Sequence, residues 1–226
     1  MDQTRIWEHF QNEGAASFAG ARPRLAYLAS RLARGEAVLD IGVGDGAFER
    51  FAAARGASVH VLDPDEKAVH RVREELSLGE RARVGFATSI PWPDAAFDTV
   101  VVSEVLEHLD DATLEGSLAE IRRVLRPGGR VLGTVPADED LAAQAAVCPD
   151  CGRRFHRWGH ARRFDLPGLR ATLATRFESV DVARRWFVAW DRLNGRGKVQ
   201  AAVRLALATV GVWGSGHNFV FEARRA

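Results

Sequence analysis

The stretch Ala37-Val38-Leu39-Asp40-Ile41-Gly42-Val43-Gly44-Asp45-Gly46 decides the fold. Its first five residues are an apolar run broken only by Asp40, as in a strand buried on both faces, and the run ends in three glycines at alternate positions. Residues 48–55 then continue with helical spacing, so the stretch reads as strand, tight turn and helix.

The same alternation continues outward. Strands are predicted over 58–62, 82–86 and 97–102, the last being the strongest because of Thr99-Val100-Val101-Val102, with a helix over 66–76. An amphipathic helix over 113–125 is stopped by Pro127-Gly128-Gly129, and a fifth strand follows over 130–135. Towards the N-terminus, Trp7, Phe10, Leu25, Leu28 and Leu32 have helical spacing interrupted by Gly14, Gly20 and Pro23, which predicts two helices. Beyond a cysteine-bearing segment come a helix over 166–175, a strand over 179–183, a helix over 198–210 and a strand over 218–223. Such alternation predicts an α/β, doubly wound, mostly parallel seven-stranded sheet with helices on both faces and right-handed crossovers.

The 226 residues carry a formal net charge of +1, with 46% hydrophobic and 27% charged residues. That balance speaks against nucleic acid or an acidic membrane surface as a whole-protein partner, and no secretory signal or long apolar span is evident. The expectation is a cytoplasmic protein, monomer or homodimer, forming a single domain over 1–226. Within it, 1–34 is a helical lid, 36–136 the nucleotide-binding core, 137–165 a Cys/His loop, and 166–226 the rest of the sheet with a Trp-rich helical decoration.

In such a sheet, ligands lie beyond the carboxyl ends of the strands, where glycines let the main chain approach a nucleoside. Asp63 ends the second strand, 23 residues after Asp40, and is placed to accept hydrogen bonds from ribose hydroxyls. Gly42-Val43-Gly44-Asp45-Gly46-Ala47 also satisfies the dinucleotide pattern G-x-G-x-x-G/A, so the loop by itself fits a nicotinamide-dependent reductase equally well.

Residues 38–46 resemble the first motif of class I S-adenosylmethionine-dependent methyltransferases, which have a Rossmann-like fold. The resemblance extends in order to Val61-Leu62-Asp63-Pro64, to residues 90–100, to Ser103-Glu104-Val105-Leu106-Glu107-His108-Leu109 and to residues 124–132. It implies S-adenosyl-L-methionine as cofactor, with Asp40, Gly42, Val43, Gly44 and Gly46 about its methionine and ribose. Asp63 and Pro64 would lie at the ribose, Thr88, Ser89 and Ile90 beside the adenine, and Ser103 and Val105 over the methionine end. Phe86 stands where many relatives carry an acid for the adenine amino group, so adenine is left to backbone, hydroxyls or stacking.

The residues after the fourth strand do not resemble the Asn/Asp-Pro-Pro-Tyr run of base-methylating enzymes, which points to an oxygen or nitrogen of a small metabolite or natural product. His108 is the candidate base, although it equally fits a solvated helix start. Trp7, Phe10, Arg163 and Trp186 are candidate acceptor contacts, for an acceptor that is anionic or carrier-tethered if the surrounding arginines read charge. Cys148, Cys151, His156 and His160 have the composition of a structural zinc site, with one zinc ion expected. An unmetallated thiol pair and a pocket-lining His160 are the alternatives. A non-catalytic, cofactor-binding or zinc-stabilised interaction protein is the remaining functional alternative.

Overall fold

The computed structural model describes residues 20–214 and 216–226. Seven strands form one sheet in the order β3-β2-β1-β4-β5-β9-β8. They are β1 (Ala37–Ile41), β2 (Ser58–Asp63), β3 (Ala82–Val84), β4 (Phe97–Ser103), β5 (Leu125–Pro136), β8 (Ser179–Arg185) and β9 (Asn218–Arg224). The first five pair in parallel, whereas β9 runs antiparallel between β5 and β8. The nicotinamide fold has a sixth parallel strand at that edge. An antiparallel strand inserted there separates this sheet from that arrangement.

Side chains on successive strand residues point to opposite faces, and the two faces bury different sets. Val38, Val59, Val61 and Val101 pack against α1 (Arg22–Ser30), α2 (Ala47–Ala54) and α3 (Glu66–Glu75). Leu39, Leu62, Val100 and Val102 pack against α4 (Asp111–Val124) and α5 (Leu166–Ala174). Three helices begin on aspartates that accept an amide hydrogen bond one turn on: Asp65 from Ala68 at 2.9 Å, Asp110 from Thr113 at 2.8 Å, and Asp165 from Gly168 at 2.7 Å.

Three expectations change. Residues 127–129 join β5 instead of forming a turn before it, because Gly128 and Gly129 exchange backbone hydrogen bonds with Arg225 and are drawn into the ladder. The polar cysteine segment contains an antiparallel hairpin, β6 (Ala145–Val147) with β7 (Arg154–His156), that pairs apart from the main sheet. Helix α6 (Gly195–Thr209) starts three residues before the predicted 198, its N-cap Asn194 accepting from Gly197 N, and it contributes only Ala201 to the buried set while Val199, Val203 and Leu207 are exposed. Among the described residues, no helix is long and apolar enough to cross a membrane.

Candidate active site

The carboxyl ends of β1, β2 and β4 open onto a cavity of about 900 Å³, near the top of the ~300–1,000 Å³ typical of ligand pockets. Residues 40–45, 63–65 and 85–88 line it, as do 103–105 and 108–110. Ala21, Arg24 and Leu25 of α1 cover it, and Glu139, Trp158 and His160 complete the wall.

The glycine loop is shaped to bring main chain against a ligand. Gly42 has φ +96° and Gly46 φ +79°, where an L side chain is strained, and a Cβ would stand 2.8 Å from Val105 Cγ2 and from Val72 Cγ2 respectively. Arginines from neighbouring helices fix the loop carbonyls: Arg71 donates to Gly44 O at 2.7 Å and Arg50 to Asp45 O at 3.1 Å. Asp63 is 2% exposed, its Oδ2 accepting from Val43 N at 2.8 Å and its Oδ1 from Asp65 N at 2.7 Å. One carboxylate therefore joins the β1 turn to the β2 turn.

Asp40 is buried next to Glu49 in the first turn of α2. Burial, then the Glu49 charge, holds Asp40 well above the usual carboxylate range, and burial pushes Glu49 up to about 7. The pair thus carries less than its two formal charges at neutral pH. Sequence reading assigned the loop to Asp40 and missed Glu49, whose signal was an acid on the apolar side of a short helix.

A second group of polar residues forms the wall after β4. Ser103 Oγ lies 2.9 Å from Thr134 Oγ1 and 3.3 Å from Arg24 Nε, and Arg24 also reaches Glu104 at 3.6 Å. Glu104 has φ +59°, a conformation that costs a non-glycine residue on the order of 1 kcal/mol or more. Asn218 Nδ2 donates to its Oε1 at 3.1 Å. Glu107 is 1% exposed, and among the described residues neither carboxylate oxygen has a hydrogen-bond partner. Burial, then the Glu104 charge, raises its pKa well above normal.

His108 Nδ1 is 3.2 Å from Gly159 O, which can only accept, so the ring proton sits on Nδ1 and Nε2 is the basic nitrogen. Burial, then the neighbouring His160, lowers His108 to about 4. It is a neutral imidazole at physiological pH, with a basicity well below that best matched to general-base catalysis. His160 Nδ1 is hydrogen-bonded to Glu139 Oε2. Burial would raise Glu139, but the hydrogen bond from His160 and the three facing histidines hold it below its usual range. His156 Nδ1 accepts from His160 N at 3.1 Å, and its Nε2 faces Glu139 Oε1 at 3.5 Å.

Of the predicted cofactor residues, Asp40, Gly42, Val43, Gly44, Asp63, Pro64, Thr88, Ser103 and Val105 line the cavity, and Gly46 ends the loop as the N-cap of α2. Ser89 and Ile90 do not line it. Ile90 is buried in the core, with its amide donating to Glu120 Oε2 at 2.8 Å. Trp186 lines a separate pocket of about 250 Å³ beside α6, because it follows β8, the far edge strand of the sheet, three places from β4. Arg163 is exposed and does not line the cavity, and Arg162 is engaged by Leu109 O and Asp111. Trp7 and Phe10 lie outside the described residues. Arg24, Glu139 and Trp158 were not singled out from the sequence.

The four-ligand set Cys148, Cys151, His156 and His160 is not assembled. Cys148 N donates to Arg153 O at the hairpin end, which leaves His156 three strand positions away, roughly 10 Å at about 3.3 Å per residue. The amides of Cys151 and Asp150 do lower the Cys148 thiol, the effect expected of this knuckle. Both histidines turn to Glu139 instead.

Residues 39–133 match the family described as methyltransferase domain. The chain is 29% identical over 153 residues to an uncharacterised methyltransferase of Geobacillus kaustophilus, covering 67% of this chain and 70% of that one. It is 34% identical over 132 residues to 27-O-demethylrifamycin SV methyltransferase of Amycolatopsis mediterranei, covering 54% of this chain and 48% of that one. The chain thus spans less than half of the second relative. The crystal structure of Burkholderia thailandensis 1,6-didemethyltoxoflavin-N1-methyltransferase, bound to 1,6-didemethyltoxoflavin and S-adenosylhomocysteine, shares the fold with TM-score 0.67 at 21% identity, over 99% of this chain and 87% of that one.

Proposed function

The chain carries a class I S-adenosylmethionine-dependent methyltransferase domain, and from that premise we propose that it methylates an oxygen or nitrogen of a small molecule. The observation that carries the reading is that one cavity is lined both by the glycine loop with Asp63 and by the Glu104, His108 and His160 wall. Donor and acceptor then share one cavity. The two relatives named above for an O-methyl and an N1-methyl transfer act, by their names, on small molecules.

The bound cofactor supplies a methyl group on a cationic sulfur that leaves as a neutral thioether. Asp63 holds ribose hydroxyls while its amide bonds fix Val43 and Asp65. With the cofactor bound, the backbone of residues 42–44 would hold the methionine portion, and Phe86, 67% exposed at the cavity edge, would offer its ring to adenine beside Thr88. Ser103 and Val105 border the reacting end. Arg24, Leu109, Thr113 and Trp158 contact the acceptor. In-line displacement gains most from alignment, so these residues act chiefly by holding nucleophile and methyl group together.

Isothermal titration of the full chain with S-adenosylhomocysteine, NADH and NADPH tests the donor. Micromolar binding of the first and none of the others is expected, and the reverse overturns the reading. Transfer of labelled methyl to a panel of hydroxy- and amino-bearing small molecules, with product identified by mass, tests the acceptor class. Labelling of a carrier protein or nucleic acid in their place overturns the small-molecule part.

A further inference from the structure

We propose that Glu107, His108 and His160 bind a divalent first-row cation whose remaining positions face the acceptor side of the cavity. One ligand atom from each of the three lies within 4.8 Å of those of the other two. Metal–nitrogen bonds of about 2.0–2.1 Å allow ligand atoms at most ~4.2 Å apart, so small side-chain rotations close the set. His108 and His160 also line the cavity, and Glu107 is buried next to His108 in the chain.

Three features are those of a built site. Glu107 is a buried carboxylate whose two oxygens meet no donor among the described residues, an arrangement that is costly unless a cation faces it. Both imidazoles are oriented through Nδ1, His108 by Gly159 O and His160 by the Glu139 carboxylate. Metal-bound histidines are oriented by just such partners. Glu139 also faces His156 Nε2 at 3.5 Å, so the hairpin and the segment after β5 meet behind the set. Two imidazoles with one carboxylate suit zinc or manganese better than magnesium.

The cation deepens the proposed function by specifying the acceptor, and it rests on that reading only for this role. An acceptor hydroxyl bound to the cation loses its proton to solvent, and the oxygen lone pair forms the new C–O bond as the C–S bond to the sulfonium breaks. The cation thereby promotes removal of the acceptor's proton. Acceptors presenting a hydroxyl, especially beside a second oxygen, are therefore favoured over amines.

The test is elemental analysis of the purified full chain, followed by titration of the chelator-treated protein with zinc and manganese ions. About one equivalent is expected, together with a rise in melting temperature on adding zinc. His160→Ala and Glu107→Gln should abolish binding, and Glu139→Gln should weaken it ~10–100-fold. The Cys148→Ser, Cys151→Ser double variant should keep the full equivalent. S-adenosylhomocysteine binding, measured on every variant, reports folding and tests the donor assignment separately. Absence of metal binding in the wild type overturns the site even if the donor binds, as does metal lost in the cysteine variant and kept in His160→Ala. Should His160→Ala fail to fold, cobalt-substituted wild type decides: a visible spectrum without thiolate-to-cobalt charge transfer supports the histidine–carboxylate set, and a thiolate band refutes it.

Discussion

Asp63→Asn separates the two duties of the carboxylate that joins the β1 and β2 turns. Asp63 accepts from Val43 N at 2.8 Å and from Asp65 N at 2.7 Å while only 2% exposed. Asparagine has the same shape but one acceptor oxygen. Its amide nitrogen would face a backbone N–H, donor to donor, and the surviving bond would lose its charge. A hydrogen bond to a charged group contributes about 1.5–3 kcal/mol, and a neutral one roughly half, so the apo protein should lose ~2–4 kcal/mol. Relief of repulsion with Asp40 offsets little, because burial and Glu49 hold that carboxyl well above its usual range. For a chain of this size the melting temperature should drop on the order of 5–15 °C. Loss of the charged ribose acceptor should raise the dissociation constant for S-adenosylhomocysteine ~10–100-fold. Differential scanning fluorimetry and calorimetric titration on the folded fraction read the two effects independently. A lower melting temperature with unchanged affinity would refute the ribose role, and no change in either would refute the whole account of Asp63.

The other predictions concern the loop, the adenine edge and the buried acids. Gly42→Ala adds a Cβ at φ +96° and 2.8 Å from Val105 Cγ2, and should weaken S-adenosylhomocysteine binding by about tenfold or more, whereas Gly152→Ala, also at positive φ but with open space around it, should leave that affinity unchanged. Phe86→Ala should weaken the same binding about two- to tenfold through lost stacking, and Phe86→Tyr should not, as read by calorimetry. Burial lifts Glu49 from 4.5 to about 7, so its contribution to stability is complete below about pH 4.5. As pH rises towards 7 the unfolded chain releases this proton while the native chain keeps it, and stability falls by at most ~1.4 kcal/mol per pH unit. Denaturant titrations across pH 4–8 should show that decline in the wild type and a flatter profile in Glu49→Gln. Parallel profiles would count against the buried-acid reading.

The sheet was readable because its causes are local: β-branched runs, the spaced glycines and the aspartate caps of the helices act over a few residues. The wall of the cavity was not, since its members act across long separations in the chain. His156 and His160, four apart, looked like partners of the nearby cysteines. In the fold the hairpin carries Cys148 away from them, and both histidines face Glu139, which lies 21 residues before His160 in a segment with no motif. The burial of Glu107 was not legible, because its spacing from apolar neighbours says nothing of the loop that covers it. Ala161 and Arg162 donate to its backbone oxygen, which brings the residues after the hairpin over the β4 end. Yet the meeting of these groups follows from one step of topology. β4 and β5 are parallel neighbours with Ser103 opposite Thr134, so residues just beyond their carboxyl ends must face one another. Glu104, Glu107 and His108 follow the first strand, and Glu139 follows the second. Given the strand order, their convergence is a consequence of the same doubly wound geometry that places the glycine loop, and both ends of the cavity are therefore set by one sheet.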